Sequence, residues 1–382
     1  MVMPEKFREF QLFVKPVGSH CNLACRYCYY SKTDSLYQSS SPLLMSDELL
    51  ELYISQHIEA TTDTSVMFSW HGGEPTLAGI DFYRKAVILQ HKYLLPGQKL
   101  INGIQTNGTL LNDDWCCFFD REQFIVGISI DGPVELHDWY RKDKKSSGTF
   151  ARTLKGYELL QHYGITSEIL CVVNARNVNY PLEVYRFFKR LGARYITFLP
   201  LVEYNPEAPL KVSPGSVQPE AFGRFLITIF DEWIDRDIGA IDIQIFDEAL
   251  RSAFSREHTL CIFKKNCGGV PVLEHNGDFY SCDHYVEPGY RLGNIRDNHL
   301  AALLDSREQQ KFGQLKSINL PQYCKSCEVL EMCNGECPKN RFIQTPQGEP
   351  GLNYLCAGYK LFFRHCLPFI NMLRKVSEDQ ED

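Results

Sequence analysis

Cysteine is the residue type through which this sequence could do chemistry. The 382-residue chain carries 15 of them. Cys21, Cys25 and Cys28 stand in the run C-N-L-A-C-R-Y-C. Three thiolates on one tight loop can hold three irons of a [4Fe–4S] cube, whereas a cluster held by protein alone normally takes four. The remaining iron would then be open to an exogenous ligand. A zinc site is the plainer reading, but structural zinc takes four ligands and no fourth cysteine lies nearby. Three buried cysteines acting as small apolar residues are the plainest.

A second concentration lies toward the C-terminus, at Cys261, Cys267, Cys282, Cys324, Cys327, Cys333, Cys337 and Cys356. The run Cys324-x2-Cys327-x5-Cys333-x3-Cys337 is its densest part. Eight thiolates make two four-thiolate sites. Spacing alone leaves two Zn(Cys)4 sites and two auxiliary [4Fe–4S] clusters both open. Cys116, Cys117, Cys171 and Cys366 fall in helical or apolar stretches, where buried packing is the default. An odd cysteine count with no secretory signal argues against a disulfide scaffold and for a reducing, cytoplasmic setting.

The elements that must position these residues follow a repeating pattern. Strand-like runs rich in Val, Ile and aromatics are expected over Phe10–Lys15, Val66–Trp70, Leu100–Ile104, Phe124–Ile130, Glu168–Val173 and Tyr195–Leu199. Helix-length segments separate them: Asp47–Ala60, Gly79–Tyr93, Asn112–Glu122, Thr149–Gly164 and Val178–Leu191. Asp47 reads as an N-cap and Gly192 as the glycine after a helix end. Six β-then-α units predict an α/β fold, a partial, open (β/α)6 TIM-like barrel with chemistry at the C-terminal strand ends. The proline-rich stretch 202–216 predicts a loop on the barrel mouth, followed by a helix near Pro219–Arg236. From residue 241 the pattern turns irregular and cysteine-rich, which predicts a division into 1–240 and 241–382. An amphipathic helix near Tyr354–Lys375 and a frayed acidic tail close the chain.

Composition narrows the function classes. Hydrophobic residues make up 44% and charged residues 23%, as in an ordinary globular protein. No window approaches 18 apolar residues, which argues against a membrane protein. The net charge of −7 argues against nucleic acid.

Tyr27, just before Cys28, completes a pattern that resembles the radical S-adenosylmethionine (SAM) superfamily. The stretches CNLACRYCYY, GGEPTLAG, QTNGTLLNDDWC, DGPVELHDWYRKD, LCVV, GDFYSCDHYV, RLGNI and the C-terminal cysteine run together resemble the anaerobic sulfatase-maturating enzymes, which carry a C-terminal SPASM domain. The resemblance implies three [4Fe–4S] clusters, with SAM bound at the open iron on Cys21, Cys25 and Cys28. It implies that Gly73 of GGEP meets the SAM amino group, that Tyr27 and Val202 lie by the adenine, and that Ser129 and Arg141 contact SAM. It assigns Cys261, Cys267, Cys282 and Cys337 to one auxiliary cluster and Cys324, Cys327, Cys333 and Cys356 to the distal one.

The same resemblance makes Asp283 the base that deprotonates the substrate heteroatom, with His284 as a substitute. Burial beside an anionic cluster is expected to raise the Asp283 pKa. His71 stands where many members of the family have glutamine, and a pH-dependent contact is expected from it. The implied reaction is oxidation of a cysteine or serine in a sulfatase polypeptide to Cα-formylglycine. The implied substrate is an unfolded segment with a Cys/Ser-x-Pro/Ala-x-Arg motif, and the implied partner a low-potential donor of the flavodoxin or ferredoxin type. Two alternatives stand beside this one. The architecture could install a thioether crosslink in a ribosomal peptide, although no leader-binding domain is visible before Phe10. It could also be a zinc-stabilised binding protein without chemistry.

Overall fold

The computed structural model describes residues 8–36, 43–208 and 211–381. All six expected strands form. In chain order the repeating part runs β1 (Phe13–Lys15), α1 (Asp47–Ala60), β2 (Ser65–Trp70), α2 (Ile80–Tyr93), β3 (Lys99–Thr106), α3 (Asp113–Arg121), β4 (Ile125–Ser129), α4 (Val134–Tyr140), α5 (Phe150–His162), β5 (Ser167–Val173), α6 (Pro181–Arg190), β6 (Tyr195–Pro200) and α7 (Pro219–Arg236). The rest consists of short pieces apart from α10 and the long α13: β7 (Asp242–Ile243), α8 (Gln244–Arg251), β8 (Val272–Glu274), β9 (Asp278–Tyr280), β10 (Arg291–Asn294), α9 (Leu300–Leu304), α10 (Arg307–Ile318), α11 (Gln322–Lys325), α12 (Leu330–Cys333), β11 (Ile343–Gln344), β12 (Pro350–Leu352) and α13 (Cys356–Glu381).

Two compact units divide the described chain. The first comprises residues up to Ser129, Arg141–Ser167 and Gly268–Gly313. Its sheet has the order β10-β9-β8-β1-β2-β3-β4. β1 through β4 are parallel, and β8 joins β1 in parallel with Lys15 opposite Glu274. A segment far along the chain thus extends the first strands, because β1 has an edge that hydrogen bonding must satisfy. No sequence pattern signals this pairing. Trp70, Phe68, Tyr53 and Tyr83 fill the core behind the sheet, all fully buried.

The second unit comprises Ile130–Tyr140, Glu168–Cys267 and the residues from Gln314 onward. β5, β6 and β7 pair in parallel within it. In α7 and α13, Phe222, Phe230 and Phe362 are buried and form edge contacts with Tyr359 and one another. Glycines set the approach of these two helices. A Cβ on Gly358 would stand 2.0 Å from Pro219 O, and one on Gly223 would stand 2.6 Å from Gly358 O.

Several expectations need correction. Ser46 is the N-cap of α1, with Oγ accepting from Leu49 N at 3.3 Å, and Asp47 is the first helical residue. Its charge still favours a helix N-terminus. The helix α4 is an element beyond those expected. The acidic tail is helical as far as Glu381, because α13 simply continues through it. In the 202–216 loop, Tyr204 bridges Val212, while Pro209 and Leu210 lie outside the described residues. Cys116, Cys171 and Cys366 are buried as expected, but Cys117 is exposed. No helix among the described residues is long and apolar enough to cross a membrane.

The helix contact yields a test. Gly358→Ala should destabilise the protein by about 1–3 kcal/mol through overpacking. Gly289→Ala, where a Cβ would meet nothing within 4 Å, should change stability by less than about 0.5 kcal/mol. Thermal unfolding of the two variants beside the parent checks this, and equal midpoints would contradict it.

Candidate active site

The loop that follows β1 carries Cys21, Cys25 and Cys28, all partly buried. Short backbone bonds shape it: Gly18 N to Lys15 O at 3.1 Å, His20 N to Val17 O at 3.1 Å and Cys28 N to Cys25 O at 3.1 Å. Leu23 N donates to Cys21 Sγ at 3.3 Å, and Asn107 Nδ2 donates to Asn22 Oδ1 at 2.9 Å. Cys28 packs against the buried cluster of Tyr30, Val272, Tyr280 and Val286. Burial pushes the Cys21 thiol up to about 12. A metal that binds there as thiolate must displace that proton.

The loop after β2 lies directly on the cysteine loop. Gly73 N donates to Gly18 O at 2.8 Å and Glu74 N to His20 O at 2.9 Å. A Cβ on Gly73 would stand 2.2 Å from His20 O and 2.4 Å from Ser19 O. The glycine expected to bring backbone close to a ligand therefore also brings backbone close to backbone. Glu74 is fully buried. Its Oε1 accepts from Thr76 N at 3.1 Å, Thr76 Oγ1 at 2.6 Å and Thr106 Oγ1 at 2.7 Å, and its Oε2 accepts from Asn107 N at 2.8 Å. One carboxylate thus ties the loop after β2 to the loop after β3. Burial raises its pKa, and these donors work against that rise.

Two of the residues expected around SAM meet each other. The Arg141 guanidinium lies over the Tyr27 ring, 5.5 Å from its centroid, and both residues are buried. Ser129 ends β4 and accepts from Gln105 Nε2 at 3.2 Å. Val202 is buried just after β6 in the second unit.

Asp283 lies in an environment the sequence does not disclose. Lys15, almost completely buried at the end of β1, forms an ion pair with Asp283 Oδ1 at 2.6 Å. The Tyr29 hydroxyl donates to Asp283 Oδ2. Burial alone would raise the carboxyl pKa, but Lys15, His284 and Tyr29 outweigh it and hold it well below the usual carboxylate range. The expected rise is therefore replaced by a fall, because a buried cation is paired to the group. His71 stacks on Phe13 with ring centroids 3.8 Å apart. Burial, with Lys15 nearby, pushes His71 down to about 3, so it is neutral at neutral pH and supplies no switch there. His284 packs edge-on to Tyr29, with centroids 5.4 Å apart. Lys15, Tyr29 and Glu74 lie among the candidate site residues, and the sequence alone does not single them out. The only signal is position: one residue ends the first strand, one adjoins a candidate ligand, and one sits within GGEP.

The C-terminal cysteines form a further set. Cys324, Cys327, Cys333 and Cys356 line one cavity of about 420 Å³, counting its mouth, together with Tyr323, Leu352 and Tyr359. These are the four that the resemblance groups as the distal set. A wall of thiols and apolar side chains suits a thiolate-held cluster. Burial pushes the Cys333 and Cys337 thiols up to about 12 and Cys356 to about 11. Cys261, Cys267 and Cys337 share the second unit, where Lys316 Nζ donates to Cys261 O at 2.9 Å. Cys282 belongs to the first unit.

Comparison with known proteins identifies the family. Residues 16–188 match the radical SAM superfamily, and residues 261–328 match an iron–sulfur cluster-binding domain. The latter favours iron–sulfur over zinc in the cysteine-rich C-terminal part. The chain is 45% identical over 383 residues to a serine-type anaerobic sulfatase-maturating enzyme of Bacteroides thetaiotaomicron, covering 97% of this chain and 92% of that one. It is 33% identical over 373 residues to a cysteine-type enzyme of Clostridium perfringens, covering 96% and 98%. The fold matches that of native anSMEcpe with bound AdoMet and Cp18Cys peptide, with a TM-score of 0.86 at 32% identity over 95% of this chain and 98% of that one. A SAM-type cysteine loop on the first strand of an α/β core, a cysteine-rich C-terminal part and near full-length similarity lead to one conclusion: this chain is an enzyme that belongs to the anaerobic sulfatase-maturating enzymes of the radical SAM superfamily.

Proposed function

We propose that this enzyme oxidises a cysteine or serine side chain of a sulfatase polypeptide to Cα-formylglycine. The observation that carries the reading is the buried Lys15–Asp283 ion pair, built on the strand that leads into the Cys21 loop. Cys21, Cys25 and Cys28 hold one [4Fe–4S] cluster in this reading. Cys261, Cys267, Cys282 and Cys337 hold a second, and Cys324, Cys327, Cys333 and Cys356 a third. Bound at Cys21, Cys25 and Cys28, the first cluster would supply one-electron chemistry to SAM, giving a radical able to take a hydrogen atom from the substrate Cβ.

The chain's own residues do the rest. Gly73, Tyr27, Ser129, Arg141 and Val202 hold SAM, and Arg141 suits an anionic or ribose oxygen. Asp283 accepts the proton of the substrate thiol or hydroxyl. Lys15 keeps that carboxylate ionised, and Lys15 and Tyr29 together fix its orientation. Loss of one hydrogen atom, one proton and one electron turns serine directly into the aldehyde. The same loss turns cysteine into a thioaldehyde, which water converts to the aldehyde with release of hydrogen sulfide. The auxiliary clusters that the C-terminal cysteines would hold would supply the acceptor for that electron.

Residues 1–240 form the SAM-binding part in this reading and 241–382 the auxiliary part. The substrate is an extended segment with a Cys/Ser-x-Pro/Ala-x-Arg motif, and a flavodoxin- or ferredoxin-type protein is the reductant. We place the enzyme in the cytoplasm, where its thiols stay reduced.

The test is mass spectrometry of a sulfatase-motif peptide after anoxic incubation with reconstituted enzyme, SAM and a strong reductant. Formylglycine should accumulate in step with 5′-deoxyadenosine. 5′-Deoxyadenosine with unmodified peptides of both the cysteine and serine type would contradict the substrate assignment. The Asp283→Asn variant should still cleave SAM but lose roughly 10²-fold or more of its formylglycine yield, the usual scale for a removed general base. An undiminished yield would take Asp283 out of this role.

A further inference from the structure

The pairing of β8 with β1 brings a second buried carboxylate beside Lys15. In that ladder Glu274 lies opposite Lys15. Residues opposite each other in a parallel pair send their side chains to the same face of the sheet. Glu274 is fully buried, and the reaction as proposed does not use it. The Tyr30 hydroxyl donates to its Oε1. Its Oε2 lies 3.6 Å from His275 Nδ1. Tyr30 is buried as well, two residues after Cys28.

The Lys15 ammonium stands between this pair and Asp283. Its Nζ is 2.6 Å from Asp283 Oδ1 and 4.5 Å from the centroid of the Tyr30 ring, with the Phe13 ring farther off at 5.8 Å. A lysine head is a strongly hydrated point charge on a flexible four-carbon stem. Buried, it has lost that hydration and needs other partners in its place. Asp283 supplies one. The face of Tyr30 supplies another, in a contact that counts most when both groups are out of water. Glu274 strengthens that face, because a phenol that donates to a carboxylate is polarised by it. The same hydrogen bond fixes the angle of the ring under the ammonium.

We propose that Glu274 is a positioning residue for the reaction: acting through Tyr30, it holds the Lys15 ammonium against Asp283. The inference rests on the reading that Asp283 takes the substrate proton. With Lys15 displaced, Asp283 loses the partner that fixes its orientation, and proton transfer requires a base within hydrogen-bond reach. Cleavage of SAM needs no such base. Loss of Glu274 therefore separates the two products of the reaction, which loss of a merely structural contact does not.

The experiment measures 5′-deoxyadenosine and formylglycine in one anoxic reaction of the reconstituted full-length enzyme, with iron content determined for each variant. Glu274→Leu removes the acceptor and Tyr30→Leu removes the ring. Each should cleave SAM within about twofold of the parent yet form about tenfold less formylglycine per 5′-deoxyadenosine, the scale of a desolvated cation–π contact. Glu274→Gln keeps an oxygen for the Tyr30 hydroxyl and should recover most of that ratio. The KM for the peptide should stay near the parent value, with the loss falling on kcat. Parent-like ratios in both leucine variants, beside a low ratio in Asp283→Asn, would overturn the proposal and leave the Asp283 reading standing. A parent-like ratio in Asp283→Asn would remove that reading and the proposal with it. Iron content, SAM cleavage and product that all fall together would make Glu274 a structural residue and overturn the proposal. If Glu274→Leu does not fold, Tyr30→Phe decides, since it keeps the ring and removes only the bond to Glu274. A parent-like ratio there overturns the proposal, and a lowered one supports it.

Discussion

The buried carboxylate of Glu74 is the interaction on which the catalytic end of the first unit depends. It accepts from Thr76, Thr106 and the Asn107 backbone, while its own backbone N–H reaches the cysteine loop. Three loops that follow three different strands are thereby held as one piece. Burying a carboxylate is costly unless its oxygens are satisfied, and here both are. Gly73 makes the arrangement possible, because any side chain would strike the carbonyls of Ser19 and His20. Loop positions that must hold a reactive ligand need such support, since loops are otherwise the mobile parts of a fold.

A second constraint operates around the cysteines between α10 and α13, where the elements are short. α11 and α12 have four residues each. Chain of this kind cannot satisfy its backbone through helices and sheets, so cations do part of the work. Arg341 gathers four carbonyls and Lys316 two. His258 bonds Glu248 and the carbonyl of Glu331. In the proposed reading the thiols complete the framework once metal replaces their protons, which would couple folding of this region to cluster loading.

Much of this is legible in the sequence. The six strands and the long helices follow from periodicity and punctuation, and α7 runs over Pro219–Arg236 as expected. The cysteine spacing by itself points to a metal-binding protein. What is not legible depends on partners distant in the chain. β8 joins β1 across more than half of the sequence, and no local pattern encodes such a pairing. The charge state of Asp283 depends on Lys15, at the far end of the chain, so reasoning from neighbours alone points in the wrong direction. His71 is neutral because of where it is buried, which residue type does not reveal. The helical tail is hidden because a charged, frayed end and a charged helix end look alike in sequence.

The central claim is that the loop bearing Cys21, Cys25 and Cys28 holds a cluster with one iron open to SAM. Electron paramagnetic resonance of the anoxically reduced enzyme, recorded with and without SAM, tests it most directly. The account predicts that SAM changes the signal of one cluster and leaves the others alone. It also predicts that a Cys21→Ala/Cys25→Ala/Cys28→Ala variant lacks that SAM-sensitive signal while retaining the rest. A spectrum indifferent to SAM, or a SAM response that survives in the triple variant, would contradict it.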